Sequence, residues 1–518
     1  SPGSRSTPLV VEAAKHTDIV VSVSIDERGA AFHAVGYSRA TGQPAVVICT
    51  SGTALANYLP AVVEALHDQI PLIVLSADRP PELQDTGANQ TINQRGIFGD
   101  FVKWSAELPV PTTRIEPRVL LTTIDQAVFK AKVSPGGPVH INCLFAEPLG
   151  PQPLPQPLIK NRISNRWLQT KNPFTTYYES SDLGQIDQLL TQTGMSLIDS
   201  INSCNRGLIV AGGSLSGESA TIEALAKHLG WPLLGDISSG TMGTEGLQLL
   251  LQSSMGRDIL HPDCVIHFGL PIVSKNYLEL LQDKTPLFVQ ISSANRRIDP
   301  SHSVAVRLVA SPVQVAQRLL QHCQSRSPSN YTKTVQAIGK QVIDNVISWL
   351  ESQNGILEPL IARSAMTVAS EPPHSGLFVA NSMPIRDMDT FATPIASEIT
   401  VATNRGVSGI DGALASAAGF ARGLNRPVIA LLGDLSFLHD LVSLNQLQGI
   451  DVGIVILVIN NRGGGIFSLL PIANTSSPEF HKLFERYFST PHTVAFSQIA
   501  EAFSISYSNP KTYSSLKD

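Results

Sequence analysis

A series of short apolar runs, continuous and not alternating, restricts the fold of this chain more than any other feature. AVVIC (45–49), PLIVL (71–75) and PVHIN (138–142) come first, then GLIVA (207–211), CVIHF (264–268) and PLFVQI (286–291). LFVA (377–380), ITVA (399–402), PVIALL (427–432) and GIVILVI (453–459) complete the series. A strand that is apolar on both sides is covered on both sides, which is the situation in parallel sheets. Helix-length spacers between the runs supply the crossovers that parallel pairing needs. The expected class is therefore α/β, with doubly wound parallel sheets. A further run, DIVVSVSI (18–25), leads into Asp26, Glu27 and Arg28 and then the small-residue segment GAAFHAVGYSRATG; it reads as strand, tight turn and helix.

Two stretches interrupt the alternation. GPQPLPQPLIKN (150–161) is Pro-rich and should run extended, and CQSRSPSNYTK (323–333) is polar and turn-rich before the amphipathic helix VQAIGKQVIDNVISWLE. The cuts predict domains at 1–155, 170–325 and 334–518, the last truncated at its C-terminal end; 518 residues suit three domains of roughly 100–200 each. A net charge of -5 without any Lys/Arg block gives no footprint for nucleic acid. The apolar stretch IVILVI (454–459) falls far short of the roughly 20 residues of a membrane helix, so a soluble protein with no membrane span is expected. Cys49, Cys143, Cys204, Cys264 and Cys323 form no CxxC pair, and read as buried thiols in a reducing compartment.

Chemistry is most legible in GDLSFLHDLVSLNQLQGIDVGIVILVINNRGGGIF (433–467). Gly433-Asp434 closes one strand and Asn460-Asn461 the next, with twenty-four residues between Leu435 and the Asn pair. Adjacent parallel strands ending at one edge bring Asp434 and Asn461 to a common crevice as oxygen donors, which hard Mg²⁺ prefers. Glycines 463 to 465 let the backbone approach an anion, and a helix starting after Gly433-Asp434 offers its N–H groups. Either pair alone reads as a helix cap or a turn; the joint spacing points to a metal and a phosphate. Glu27 by itself reads equally well as a first-turn acid on the helix dipole.

The spacing resembles the metal–diphosphate motif of thiamine-diphosphate (ThDP) enzymes, usually GDG followed by NN. Leu435 stands where the third glycine is usual, and that departure matches one family among them, the 2-succinyl-5-enolpyruvyl-6-hydroxy-3-cyclohexene-1-carboxylate synthases of menaquinone biosynthesis. SPGSRSTPL (1–9), DERGAAFHA (26–34), TSGTALANYLPA (50–61), ADRPPEL (77–83), TGANQTINQ (86–94), NSMPIRD (381–387), NRGVSGIDG (404–412) and NNRGGGIFSLLP (460–471) look like that family's signatures. The resemblance runs from residue 1 to about 471 and is weakest in the middle. It implies a pyrimidine-binding (Pyr) domain, a Rossmann-like central domain without cofactor and a diphosphate-binding (PP) domain. The implied reaction uses ThDP and Mg²⁺, with Mn²⁺ as a substitute. It decarboxylates 2-oxoglutarate and adds the resulting enamine 1,4 to isochorismate, in menaquinone or phylloquinone synthesis. A homodimer with shared active sites, or a tetramer, is also implied, in the cytoplasm of a bacterium or the plastid of a plant or alga.

Residue by residue, the resemblance makes Glu27 the contact to N1′ of the cofactor's aminopyrimidine, in a turn walled by apolar side chains, with Gln90, Arg386 and Arg405 as its catalytic companions. It places Ser4, Arg5, Arg79, Asn89, Lys275, Ser382, Phe467 and Leu470 in the substrate pocket. Ser382, Ile410, Gly433, Asp434, Leu435, Ser436 and the aliphatic wedge Ile466 would hold the cofactor, and Asp434, Asn461 and Gly463 the metal. Both substrates carry two carboxylates, which arginine's planar fork suits. One turn arginine reads as surface charge; four within family motifs do not. His33 and His439 show no metal-ligand spacing and read as structural. LIVAGGSLSG (208–217) lacks the GxGxxG order of a dinucleotide site. Two readings compete. Another ThDP-dependent 2-oxoacid decarboxylase or carboligase would need fewer cationic anchors, and no FAD signature is evident. A non-catalytic paralogue acting as assembly partner should have lost Glu27, Asp434 or Asn461.

Overall fold

Every strand pairs in parallel in the structure, a computed structural model that describes the chain apart from residues 113, 152–169, 171, 178–189, 191–195, 214, 216–217, 242, 283–286, 295, 393–398, 475–477 and 518. The Pro-rich stretch 150–161 lies almost wholly outside the described residues. Contacts divide the chain into two compact units. The first comprises Ser1–Ser180, Gly406–Asn425 and His439–Gly453, and the second Ser181–Arg405, Arg426–Leu438 and Ile454–Asp518.

In the first unit, β1 (Ala45–Cys49), β2 (Leu72–Asp78), β3 (Trp104–Leu108) and β4 (Pro138–Leu144) form a sheet in the order β1-β2-β4-β3. The helix Glu27–Thr41 opens on Asp26, whose carboxylate accepts the Arg28 N–H at 3.0 Å, and closes on Gly42 in the left-handed region at φ 66°. That closure suits glycine, which has no Cβ to clash there. Its inner face buries Phe32 and Val35 with Leu55, Tyr58 and Leu72. The helix Ala413–Leu424 packs across it with backbones in close approach. A Cβ at Gly36 would lie 2.0 Å from the Ser416 carbonyl, and one at Gly419 would lie 1.9 Å from that of His33.

The second unit holds two sheets. One has β5 (Gly207–Ala211), β6 (Leu233–Gly235), β7 (Cys264–Phe268), β8 (Leu287–Ser292) and β9 (Val306–Val309) in the order β6-β5-β7-β8-β9. The other has β10 (Gly376–Val379), β11 (Val401–Ala402), β12 (Val428–Gly433) and β13 (Ile454–Ile459) in the order β11-β10-β12-β13. From β10 the chain passes first to β11 on one side and then to β12 on the other. The crevice beyond the carboxyl ends of β10 and β12 is thus a topological switch point, the usual ligand position in open α/β sheets. The glycine-rich turn after β5 serves packing, since a Cβ at Gly212 would lie 1.8 Å from the Leu270 carbonyl. All five cysteines are free and buried. No described helix is long and apolar enough to cross a membrane.

One expectation needs correction. DIVVSVSI forms no strand, and it leaves Val20 86%, Val23 69% and Ile25 74% exposed. Hydrophobicity makes a segment fit for a ladder, but the ladder needs a facing backbone, and among the described residues none pairs with it. The amphipathic helix after the polar stretch spans Asn330–Glu351 and is capped by Ser329, whose hydroxyl accepts the Thr332 N–H at 3.3 Å.

Within the helix Met383–Phe391, Asp387 is only 4% exposed and its Oδ2 has no hydrogen-bond partner. Burial, and next the charge of Glu358, push its carboxyl up to about 7, against the pull of Arg386.

Glycine to alanine in an exposed helix gains about 1 kcal/mol. At Gly36 the added carbon meets a backbone carbonyl, so Gly36→Ala is expected to lose about 1–3 kcal/mol, read as a lower urea midpoint. A raised midpoint would show that the two helices do not cross at this distance. For Asp387 the folded value of about 7 lies above the ordinary carboxylate range near 4. The native state then binds the extra proton between those values, so stability falls as pH rises through that window and levels off above it. Asp387→Asn is expected to abolish the fall and to exceed the unsubstituted protein by on the order of 1–4 kcal/mol at about pH 8. Superimposable stability–pH curves for the two proteins would refute it.

Candidate active site

The register of β12 on β13 sets Gly433 opposite Ile459, so Asp434 and Asn460 leave the sheet at one level. Asp434 is 2% exposed. Its Oδ1 accepts the Leu435 N–H at 2.7 Å, and its Oδ2 accepts the Gly463 N–H at 2.9 Å and His492 Nε2 at 3.1 Å. Asn461 donates its Nδ2 to Glu358 Oε1 at 3.0 Å, which fixes the amide with its carbonyl oxygen on the other side. The Gly463–Gly465 turn is built for close approach. A Cβ at Gly463, where φ is 152°, would lie 2.2 Å from the Ser489 carbonyl, and one at Gly465 would lie 2.7 Å from the Asn461 amide. A buried carboxylate, an amide oxygen and a backbone carbonyl beside a glycine cradle fit a hard dication that keeps phosphate oxygens in its shell. The short helix Asp434–His439 starts here, with Leu435 as its second residue and Ser436 buried. Ile466 and Phe467 lie half-buried in the 3₁₀ turn Gly465–Leu469, Phe467 edge-on to Phe488 at 6.1 Å, and Leu470 follows at 38% exposure.

The carboxyl ends of β10 and β11 carry the arginines of the second unit. Arg405 donates to Asn381 Oδ1 at 3.2 Å, and Asn381 Nδ2 donates to the Asn404 carbonyl at 2.6 Å. Arg386 donates to the carbonyl of Ser382, which opens its helix at φ 74°. Burial lowers the Arg386 pKa, and the positive charge of Arg405 lowers it further, so the two guanidinium groups act on each other. Two carboxyls join them, Asp236 fully buried and Asp389 half-buried. Asp389 Oδ1 accepts the Ile237 N–H at 2.9 Å, and Asp236 accepts from Ser238 and Val273. Lys275 is exposed at the head of the helix Asn276–Gln282, and the described contacts do not tie it to either arginine.

In the first unit Arg79 directly follows β2, while Arg5 and Glu27 sit at turns that precede β1. Arg5, 7% exposed, follows Ser4 in the 3₁₀ turn Ser4–Ser6, donates to the Phe145 carbonyl at 3.0 Å and faces Glu147 at 3.6 Å. The Arg79 guanidinium meets the Ser51 hydroxyl, and its pKa is lowered by burial and then by Arg5. Ser51 in turn donates to the Gln90 carbonyl at 3.0 Å and accepts Gln90 Nε2 on its own carbonyl at 2.9 Å; Asn89 is exposed beside them. Glu27 is the half-buried first residue of its helix, and its charge acts on Cys49 and Tyr58 at the end of β1. Ile410 is 36% exposed. Its segment is anchored by Glu64, 1% exposed, which accepts the Gly406 and Val407 N–H groups at 2.8 Å each. Arg28 bonds the His439 carbonyl at 2.9 Å, and burial lowers the His33 pKa to about 4, so both histidines serve the structure.

The structure thus gathers Arg79 and Gln90 around Ser51, Ser382 and Arg386 with Arg405 around Asn381, and Asp434 with Gly463. Sequence reasoning missed Ser51, Glu64, Asn381, Glu358 and His492. TSGT and NSMP held Ser51 and Asn381 in plain view, whereas nothing local marks the other three.

Residues 1–97 match the family described as thiamine pyrophosphate enzyme, N-terminal TPP binding domain; 161–378 match the middle domain of thiamine pyrophosphate; 390–518 match thiamine pyrophosphate enzyme, C-terminal TPP binding domain. The solved benzoylformate decarboxylase of Polynucleobacter necessarius has the same fold, with a TM-score of 0.70 at 17% identity over 100% of this chain and 91% of that one. A 2-succinyl-5-enolpyruvyl-6-hydroxy-3-cyclohexene-1-carboxylate synthase of Chlorobium phaeobacteroides is 42% identical over 100% of this chain and 88% of its own length. The protein of the same name from Rubrobacter xylanophilus is 40% identical over 99% and 88%. By its three matched domains and by this identity over its full length, the chain belongs to the 2-succinyl-5-enolpyruvyl-6-hydroxy-3-cyclohexene-1-carboxylate synthase family of thiamine-diphosphate enzymes.

Proposed function

We propose that this chain carries out the ThDP- and Mg²⁺-dependent decarboxylation of 2-oxoglutarate and the 1,4-addition of the remaining four-carbon unit to isochorismate. The product is 2-succinyl-5-enolpyruvyl-6-hydroxy-3-cyclohexene-1-carboxylate, on the way to menaquinone or phylloquinone. The observation that carries this reading is the pairing of like charges: Arg5 acts on Arg79, and Arg405 on Arg386. Guanidinium groups close enough for one charge to act on the other repel, and a bound dicarboxylate would relieve that repulsion while filling their forks. Both substrates are dicarboxylates, whereas a monocarboxylic 2-oxoacid would use only part of this charge.

Asp434, the Asn461 side-chain oxygen and the Gly463 carbonyl would hold Mg²⁺, with Mn²⁺ as a substitute. Gly433, Leu435 and Ser436 would line the diphosphate, Ser382 and the backbone of Ile410 the rest of the cofactor, and Ile466 its bend. ThDP, when bound, supplies the electron sink that stabilises the charge left as CO₂ departs. Glu27 holds a proton at N1′ of the aminopyrimidine. Arg5, Arg79, Arg386 and Arg405 bind the carboxylates, with Ser4, Asn89, Gln90 and Lys275 orienting polar groups between them. Phe467 and Leu470 exclude water. We place the domains at 1–155, 170–325 and 334–518. Two copies would form a homodimer, Glu27 of one working with Asp434 of the other, in the cytoplasm of a bacterial source.

The test follows isochorismate absorbance in the presence of protein, ThDP, Mg²⁺ and 2-oxoglutarate, with each omitted in turn. Glu27→Gln is expected to slow the loss about 10²–10⁴-fold while ThDP affinity stays within a few-fold. Wild-type rates in that variant would remove Glu27 from the chemistry. Arg386→Lys and Arg405→Lys keep the charge but lose the fork. Each is expected to weaken the apparent binding of one substrate, isochorismate or 2-oxoglutarate, by about 10-fold or more, read as a raised KM. Unchanged KM for both substrates in both variants would take these arginines out of the pocket.

A further inference from the structure

His492 lies 58 residues beyond Asp434 in the chain and donates to its carboxylate. Its side chain is 11% exposed, against 3% for Asp434. The bonds of its two ring nitrogens fix the tautomer. Nδ1 accepts the Val494 N–H at 3.3 Å, so in the neutral ring the proton sits on Nε2, which donates to Asp434 Oδ2 at 3.1 Å. The ring is also held in place by packing. It lies 5.8 Å from Phe496, which meets Phe437 edge-on at 5.3 Å, and Phe437 belongs to the helix that Asp434 opens.

A carboxylate offers about four lone-pair directions, two on each oxygen. At Oδ2 both are taken, one by the Gly463 N–H and one by His492 Nε2. At Oδ1 the Leu435 N–H takes one, which leaves a single direction on Asp434 for a cation. We infer that His492 is a positioning residue for the metal: its Nε2–H fills the second lone pair of Oδ2, so that Asp434 presents Oδ1 alone to the Mg²⁺ of the cofactor. The inference rests on the reading of Asp434 as a metal ligand. Without the donor one lone pair of Oδ2 falls free although the Leu435 and Gly463 N–H groups still hold the carboxylate, so either oxygen is open to the cation and the metal site loses its preset geometry. Partners that orient a ligand in this way are typically worth about 10–100-fold in metal affinity.

The experiment titrates MgCl₂ into the full chain at saturating ThDP by calorimetry, and compares His492→Leu, His492→Gln and Asp434→Ala with the unsubstituted protein. Leucine keeps the bulk without a donor; glutamine returns an N–H at about the reach of Nε2. His492→Leu is expected to weaken Mg²⁺ binding about 10–100-fold, and His492→Gln to restore it to within about 3-fold. The apo-protein thermal midpoints of the two variants are expected to lie together, since both lose the ring. Equal Mg²⁺ affinity in His492→Leu and the unsubstituted protein would overturn the inference. So would equal weakening in both His492 variants, which would assign the effect to packing. If Asp434→Ala loses Mg²⁺ while His492→Leu keeps it, the inference fails and the metal reading stands. If Asp434→Ala binds Mg²⁺ unchanged, the metal reading fails and takes the inference with it.

Discussion

The burial of the Asp434 carboxylate is tolerable only because three N–H groups point at it, from Leu435, Gly463 and His492. An unpaired buried carboxylate is too costly to keep, so each donor constrains the chain that carries it. The Gly463 donor requires β13 to end level with β12, which the pairing of Gly433 with Ile459 achieves. A slip of one residue would turn the side chains of β13 to opposite faces and carry the following turn away. In that turn a Cβ on residue 463 would lie 2.2 Å from the Ser489 carbonyl, which leaves glycine as the one residue that fits. Strand register, glycine run and the segment after 484 are thus tied to one charged group.

Within each unit, backbone strain is held by similar means. Gln90 and Ser382 adopt φ of 55° and 74°, a region that costs a residue with a side chain on the order of 1–3 kcal/mol. Gln90 is held by two bonds to Ser51, one given and one received, and Ser382 is clamped by the Arg386 guanidinium on its carbonyl. In both cases the strained residue sits beside an arginine that follows a strand. The surroundings over-determine the conformation, and the position of the cation is fixed with it.

How much of this could be read from residues alone depends on whether the cause was local. Each of the ten runs from AVVIC to GIVILVI contains a strand, because cover on both faces of a parallel sheet favours apolar residues at successive positions. The three strands without such a run, WSAEL at β3, LLG at β6 and VRLV at β9, are all sheet edges, where one side of the strand has no neighbour. DIVVSVSI failed in the opposite sense, carrying the composition of a strand without a facing backbone. The candidate site was legible wherever a turn follows a strand within a few residues, as at Asp434, Ser382 and Arg79. His492 and Glu358 lie 58 and 103 residues from the groups they bond, and no spacing rule reaches that far.

The charge balance around Arg405 explains why that turn can remain cationic although acids lie close. Asp236 and Asp389 are its neighbours; Asp236 is buried with N–H donors from Ser238 and Val273, and the half-buried Asp389 accepts the Ile237 N–H. Burial pushes both carboxyls up, and the charge of Asp236 raises Asp389 further, while Arg405 pulls the other way. Two adjacent carboxyls shifted in this way do not both ionise cheaply, so the pair offers less than its formal charge of two. Arg386 and Arg405 keep theirs, since a guanidinium is not deprotonated in proteins. The acids therefore act mainly through hydrogen bonds, joining the Ile237 turn to the helix that bears Arg386, and leave a surplus of positive charge at the strand ends. On the proposed reading, a dianionic ligand would meet that surplus in a place where the fold has already met the cost of gathering it.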